Sequence, residues 1–112
     1  MPLRKPMQYS ALEFERYVTG DGKTTLVCFV EEWSGPCKEM EEVIIRLTEV
    51  LAGVADVCLM DIESAPLVAA GCSIKSIPTL MLFVEGKEVQ RLIGVRPFDE
   101  VIKTLRKYIS GI

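Results

Sequence analysis

The stretch "TLVCFVEEWSGPCKEM", residues 25–40, changes its period halfway. Its first half is a continuous apolar run rich in β-formers, the pattern of a strand buried on both faces. From Pro36 onward the spacing becomes helical: Cys37, Met40, Ile44, Leu47 and Leu51 recur at i, i+3, i+7, i+10 and i+14. This predicts an amphipathic helix of about four turns. Lys38, Glu39, Glu41, Glu42 and Arg46 fall on its other side, and Gly53 ends it. At the junction stands "WSGPCK", residues 33–38. Ser34 suits a helix N-cap, and Gly35 and Pro36 suit the first turn. The structural role of the junction is thereby explained. The aromatic before it and the lone thiol after it raise the question of chemistry.

Working outward, the same alternation of strand and helix continues in both directions. "SALE" (10–13) has the form of a capping box, with Ser10 and Glu13 exchanging bonds at a helix start. Ala11, Phe14 and Val18 follow at helical spacing, and "GDG" (20–22) closes that helix. The first strand is expected over 24–32. "VADVCLMDI" (54–62) reads as a second buried strand, and Pro66 to Ala70 as a short helix with Ser64 as its cap and Gly71 as its stop. "TLMLFV" (79–84) and "EVQRLIG" (88–94) read as two strands joined by the tight turn "EGK" (85–87), an antiparallel hairpin. Pro97 opens a last helix with Phe98, Val101, Ile102, Leu105, Tyr108 and Ile109 as its apolar face. The first half contains a right-handed parallel crossover, and the second is a hairpin followed by a helix. The expected fold class is α/β, a mixed central sheet with helices on both faces.

Length and composition are consistent with this. The 112 residues predict one domain, residues 1–112, and 49% are apolar. A chain of this size buries roughly two-thirds of its unfolded surface. The net charge of −3 gives no footing for nucleic acid. No apolar stretch approaches the 18 residues of a membrane span, and "MPLRKPMQYS" lacks the apolar segment of a signal peptide. The expected location is therefore cytoplasmic, without a membrane partner, and the expected state a monomer. With no histidine, the commonest general base and metal ligand are missing. The four cysteines are 9, 21 and 14 positions apart, so none forms a Cys-x-x-Cys pair or a zinc knuckle. No metal and no cofactor is expected. Cys28 and Cys58 lie in apolar runs and read as small core residues. A proline at the head of a buried strand, Pro78 in "SIPT" (76–79), fits a cis bond after Ile77.

With these stretches in place, the chain resembles the thioredoxin family. The resemblance rests on residues 25–40, on "MDIESAPLVAAGCSIKSIPTLMLFVEGKEV" (60–89) and on "LIGV" (92–95). The family motif is Trp-Cys-Gly-Pro-Cys-Lys, with a cis-proline about forty residues later; here Cys37 and Pro78 are 41 apart. The resemblance implies a thioredoxin fold and thiol–disulfide exchange. In that chemistry the first motif cysteine attacks a disulfide and the second resolves the mixed disulfide. It also implies a protein or peptide client surface at Trp33, Gly35, Pro36, Ile77, Pro78 and Gly94, where the cis-proline segment offers backbone groups to an extended chain.

The sequence departs from the family at the decisive place. Ser34 holds the position of the attacking cysteine, and Cys37 keeps that of the resolving one. A hydroxyl is far less acidic than a thiol and forms no stable link to sulfur, so no dithiol turnover is expected. A thioredoxin reductase is implied as partner only for a form with cysteine at 34. The family's buried aspartate falls at Cys28, its accompanying lysine at Leu59, and its kinking helix proline at Glu42. Three further departures point to divergence beyond a single exchanged residue. Two alternatives to a redox protein follow. One is a peptide-binding module without redox activity. The other is a single-thiol protein in which Cys37 takes up a partner such as glutathione.

Overall fold

The computed structural model describes residues 6–32 and 34–112. Its centre is a five-stranded mixed sheet. The strands are β1 (Met7–Gln8), β2 (Thr25–Val30), β3 (Asp56–Asp61), β4 (Thr79–Val84) and β5 (Lys87–Ile93), in the spatial order β1-β3-β2-β4-β5. β1, β3 and β2 run parallel; β4 and β5 are antiparallel to their neighbours. The crossover from β2 to β3 is α2 (Gly35–Val50), the expected parallel unit.

Side-chain alternation along the strands divides the core into two layers. Leu26 and Cys28 of β2, with Leu80 and Leu82 of β4, face α2 and α4 (Phe98–Leu105). Met40, Ile44, Leu47 and Leu51 meet them from α2, and Val101, Ile102 and Leu105 from α4. Val27, Phe29, Cys58, Met60, Met81 and Phe83 point the other way, toward the first helix and α3 (Pro66–Gly71). Each fully buried large apolar side chain stabilises the fold by about 1.5–3 kcal/mol. Among the described residues no buried side-chain nitrogen or oxygen lacks a partner.

The predicted elements are all present: the strand expected over 79–84 has those bounds, that over 88–94 spans Lys87–Ile93, and the short helix runs one residue further, through Gly71. The strand expected over 24–32 spans Thr25–Val30, and that over 54–62 spans Asp56–Asp61. The last helix stops at Leu105, yet Ile109 beyond it is still buried. Tyr108 is largely exposed and donates its hydroxyl to Gln90 Oε1 at 3.0 Å. The capping box is present in both directions: Ser10 N–H donates to Glu13 Oε1 at 3.1 Å, and Glu13 N–H to Ser10 Oγ at 3.2 Å.

Three features differ from the sequence reading. The helix after the box is α-helical only over α1 (Ala11–Glu13) and continues as a π-helix over Phe14–Gly20. Asp21 N–H reaches five residues back to Arg16 O at 2.9 Å, while the Thr19 hydroxyl bonds Glu15 O at 3.1 Å within the same turn. Ser64 does not cap α3; Ala65 holds that place without a side-chain bond. Pro66 at the first helical position has no N–H to satisfy, which reduces the need for a cap. β1 was not anticipated: two residues pair with Cys58 and Leu59, extended by Tyr9 N–H to Leu59 O at 3.0 Å.

Gly86 shows how the sheet is tied to the first helix. It sits at φ +80° beside Glu85 at +53°, the two-residue reversal that joins β4 to β5. A Cβ there would also lie 2.8 Å from the carbonyl oxygen of Thr19. Only glycine meets both conditions.

Candidate redox site at the head of the second helix

Three chain segments converge at one end of the sheet. β2 ends at Val30 and leads into the motif. β4, antiparallel to it, starts there, with Thr79 opposite Phe29. β5 ends there, with Ile93 opposite Thr79. The topology thus brings together residues separated by as much as 60 positions in the chain: Ser34, Pro78 and Gly94.

Ser34 is the N-cap of α2, in extended conformation (φ −73°, ψ 130°). Its Oγ accepts from Cys37 N–H at 3.4 Å, a long and correspondingly weak bond. Its own N–H donates to Glu31 O at 3.1 Å. Glu31 N–H in turn donates to the Cys37 sulfur at 3.3 Å. These bonds close a small loop in which the serine hydroxyl and the cysteine are both turned to the backbone of residues 31–37. Gly35 and Pro36 are exposed, whereas Cys37 is only 9% exposed. Trp33 lies outside the described residues.

On the facing segment the Ile77–Pro78 peptide bond is cis. Pro78 is buried, and its carbonyl accepts from Gly94 N–H at 2.8 Å. Gly94 takes φ +87°, the left-handed region where a side chain would be strained. Thr79 is buried and donates its hydroxyl to Ser76 O at 2.6 Å. Ile77 is half-buried, and its own N–H and C=O have no partner among the described residues. Backbone groups left open at such a bend can pair with an added strand-like ligand.

Behind the motif, Cys28 pairs with Leu59 across β2 and β3. The two positions where the family's aspartate and lysine fall are thus direct neighbours, and here neither carries a charge. Cys28 is fully buried, and burial pushes its thiol well above the ordinary range. Burial first, and then the nearby Cys28, Asp56 and Glu13, do the same to Cys58 on the opposite face of the sheet. Cys72 is half-buried; burial raises its thiol, partly offset by Arg91. Among the described residues no group of three or more potential ligands could hold a metal ion.

Two features of the site gave no signal in the sequence. Arg91 on β5 donates to Cys72 O at 2.7 Å and Ser73 O at 3.3 Å while paired with Glu88 at 2.7 Å. It holds the start of the 72–78 segment that leads into Pro78, and nothing in "EVQRLIG" singles it out. The second is a cleft of about 530 Å³ beside the motif. Cys37, Val30, Ile44, Ile45 and Leu59 form its apolar wall. Its lining comes from residues as far apart as Pro6 and Asp61, so no local pattern encodes it.

A mixed sheet between paired helices, with a Gly-Pro-Cys helix start and a cis-proline at the same end of the sheet, defines a thioredoxin-fold protein. The comparisons with known proteins agree. The family model described as Thioredoxin matches residues 5–107. A thioredoxin of Chlamydia trachomatis serovar D is 42% identical over 83 residues, 74% of this chain and 80% of its own length. A thioredoxin of Pyropia yezoensis is 34% identical over 103 residues, 92% of this chain and 96% of its own. Among solved structures, a mutant thioredoxin from Halobacterium salinarum NRC-1 superposes with a TM-score of 0.83 at 26% identity, covering 100% of this chain and 97% of that one. The chain belongs to the thioredoxin family, and membership implies the chemistry of thiol–disulfide exchange.

Proposed function

We propose that this chain performs no dithiol–disulfide turnover and meets its clients in other ways. The observation that carries this is Ser34 at the head of α2, with its hydroxyl directed at Cys37 N–H. Exchange needs a sulfur that attacks and a second that resolves. A serine hydroxyl supplies neither, and Cys37 has no sulfur partner within the motif. In an insulin-reduction assay with dithiothreitol, the chain should give no acceleration over dithiothreitol alone. Ser34→Cys should raise activity by orders of magnitude. Appreciable turnover by the unaltered chain would overturn the proposal.

Two ways of engaging a client fit a chain with this site. One is a peptide-binding module without redox activity, and the backbone groups of Ile77, unpaired among the described residues, support it. Client retention should then be indifferent to reductant and to Cys37→Ser. The other is single-thiol capture at Cys37, supported by the position of that residue in the wall of an open cleft. Mass spectrometry after treatment with a small disulfide decides between them. Absence of any adduct on Cys37 removes the second. A thioredoxin reductase is a partner to test only on the Ser34→Cys form.

A further inference from the structure

The segment that carries Ile77 to the candidate site begins with a sharp turn. Cys72 closes α3, and Ser73 follows at φ +55°, a left-handed conformation that is costly for a residue with a side chain. Such a conformation persists only where the surroundings hold it. Arg91 supplies the hold. Its Nη2 donates to Cys72 O at 2.7 Å and its Nη1 to Ser73 O at 3.3 Å, the carbonyls on either side of the Ser73 Cα. Glu88 fixes the guanidinium along another edge, accepting from Nε at 2.7 Å and from Nη2 at 3.0 Å. The backbone of Arg91 is set by β5, where it lies opposite Met81 of β4. A planar fork braced by a carboxylate thus grips a turn 18 to 19 positions away in the chain. Beyond the turn, Ile74 packs against the core, Lys75 and Ser76 are exposed, and Ile77 is half-buried. The far end is held separately: Ser76 O accepts the Thr79 hydroxyl, and Pro78 O accepts the Gly94 N–H.

We infer that Arg91 is a positioning residue for the ligand-accepting segment, and that it acts by locking the turn at Ser73 from which the chain runs to Ile77 and Pro78. The inference rests on the peptide-module reading above and names the residue that tunes the affinity of that module. A strand-like ligand pairs with backbone groups at Ile77. If the chain leading to them were loose, binding would have to order it, and affinity would fall accordingly. The fork matters as well as the charge. Lysine keeps the cation but offers no planar set of donors to reach two carbonyls and a carboxylate at once. Glycine at 73 enters the left-handed region freely, so with it the turn stands without a clamp.

The probe is insulin B chain, reduced and carboxymethylated, an extended peptide with no disulfide. It is titrated into the isotope-labelled full chain, and the dissociation constant is read from the amide shifts of Ile77 and Gly94. Arg91→Lys should weaken binding roughly 3–10-fold. Adding Ser73→Gly to Arg91→Lys should recover most of that loss. Glu88→Gln removes the charged brace and keeps the guanidinium; it should weaken binding by a smaller factor, and it decides the matter should Arg91→Lys not fold. Gly86→Ala, at the closed end of the same hairpin, lowers stability and should leave the dissociation constant unchanged. Equal affinity in the unaltered chain, Arg91→Lys and Glu88→Gln would overturn the inference and leave the peptide-module reading standing. So would a loss in Arg91→Lys that Ser73→Gly does not recover, or an equal loss in Gly86→Ala, since either marks Arg91 as a support of the fold alone. No shift at Ile77 and Gly94 in the unaltered chain would sink both.

Discussion

Cys28 and Leu59 stand side by side across two central strands, and both are uncharged. In water-excluded surroundings this is the less costly arrangement, because a buried charge needs a partner of good geometry. What these two residues give to packing they withdraw from proton transfer behind the motif. Their burial also has a measurable signature. The thiols of Cys28 and Cys58 are held well above the ordinary value by desolvation. The folded chain therefore binds these protons more tightly than the unfolded chain. The stability so gained is complete below the unfolded thiol value, about 8.5, and is lost as pH rises above it toward the folded one. Urea titrations should show stability falling between about pH 7.5 and pH 10 by up to about 2 kcal/mol per buried thiol. Cys28→Ala and Cys58→Ala should each make that fall shallower. At this scale the sequence was readable for identity and burial. Ser34, Cys37 and Pro78 stood out by motif, and Cys28 and Cys58 by the apolar runs around them. Arg91 did not, because a charged residue on a half-exposed strand looks the same whether it faces solvent or clamps a loop.

At the scale of elements, those with strong local chemistry were legible. The Ser10–Glu13 box, the stripe from Cys37 to Leu51 and the Glu85–Gly86 reversal each form where their residues predict. The π-helical stretch was not, since Phe14 and Val18 are four apart and suit an α-helix equally well. Nor was the absence of a Ser64 cap, since a serine near a helix start is a candidate whether or not its hydroxyl reaches a free N–H. The reversal also offers a sharp test of how one turn supports two layers. Gly86→Ala should cost about 1–3 kcal/mol, from the left-handed backbone and from the contact with Thr19 O. The loss should appear as a lower urea midpoint at unchanged slope. Asparagine, which tolerates positive φ, should relieve only the backbone part, because its Cβ meets the same carbonyl.

Over the whole molecule, the α/β class and the helix on each face followed from the alternation of apolar runs. The order of strands did not, because pairing between β2 and β4 joins residues some fifty positions apart and has no local mark. The cleft at the motif was hidden for the same reason. Pro6, Glu41 and Asp61 share it only once β1, α2 and β3 have packed. This limits what a motif can convey: "WSGPCK" identifies the chemistry to ask about, while the charge that a small molecule meets on approach is a property of the assembled layers.

The shortest strand has the widest reach. Met7 and Gln8 occupy the outer flank of β3, whose six residues would otherwise leave a row of amide and carbonyl groups open along a parallel border. Such borders are templates on which a neighbouring chain can add. A two-residue strip is too short to serve as a template itself, yet long enough to occupy part of the one behind it. Removing residues 1–9 should therefore convert a border within one molecule into a seam between molecules. Light scattering should record a rise in mass with concentration for the shortened chain and none for the whole one.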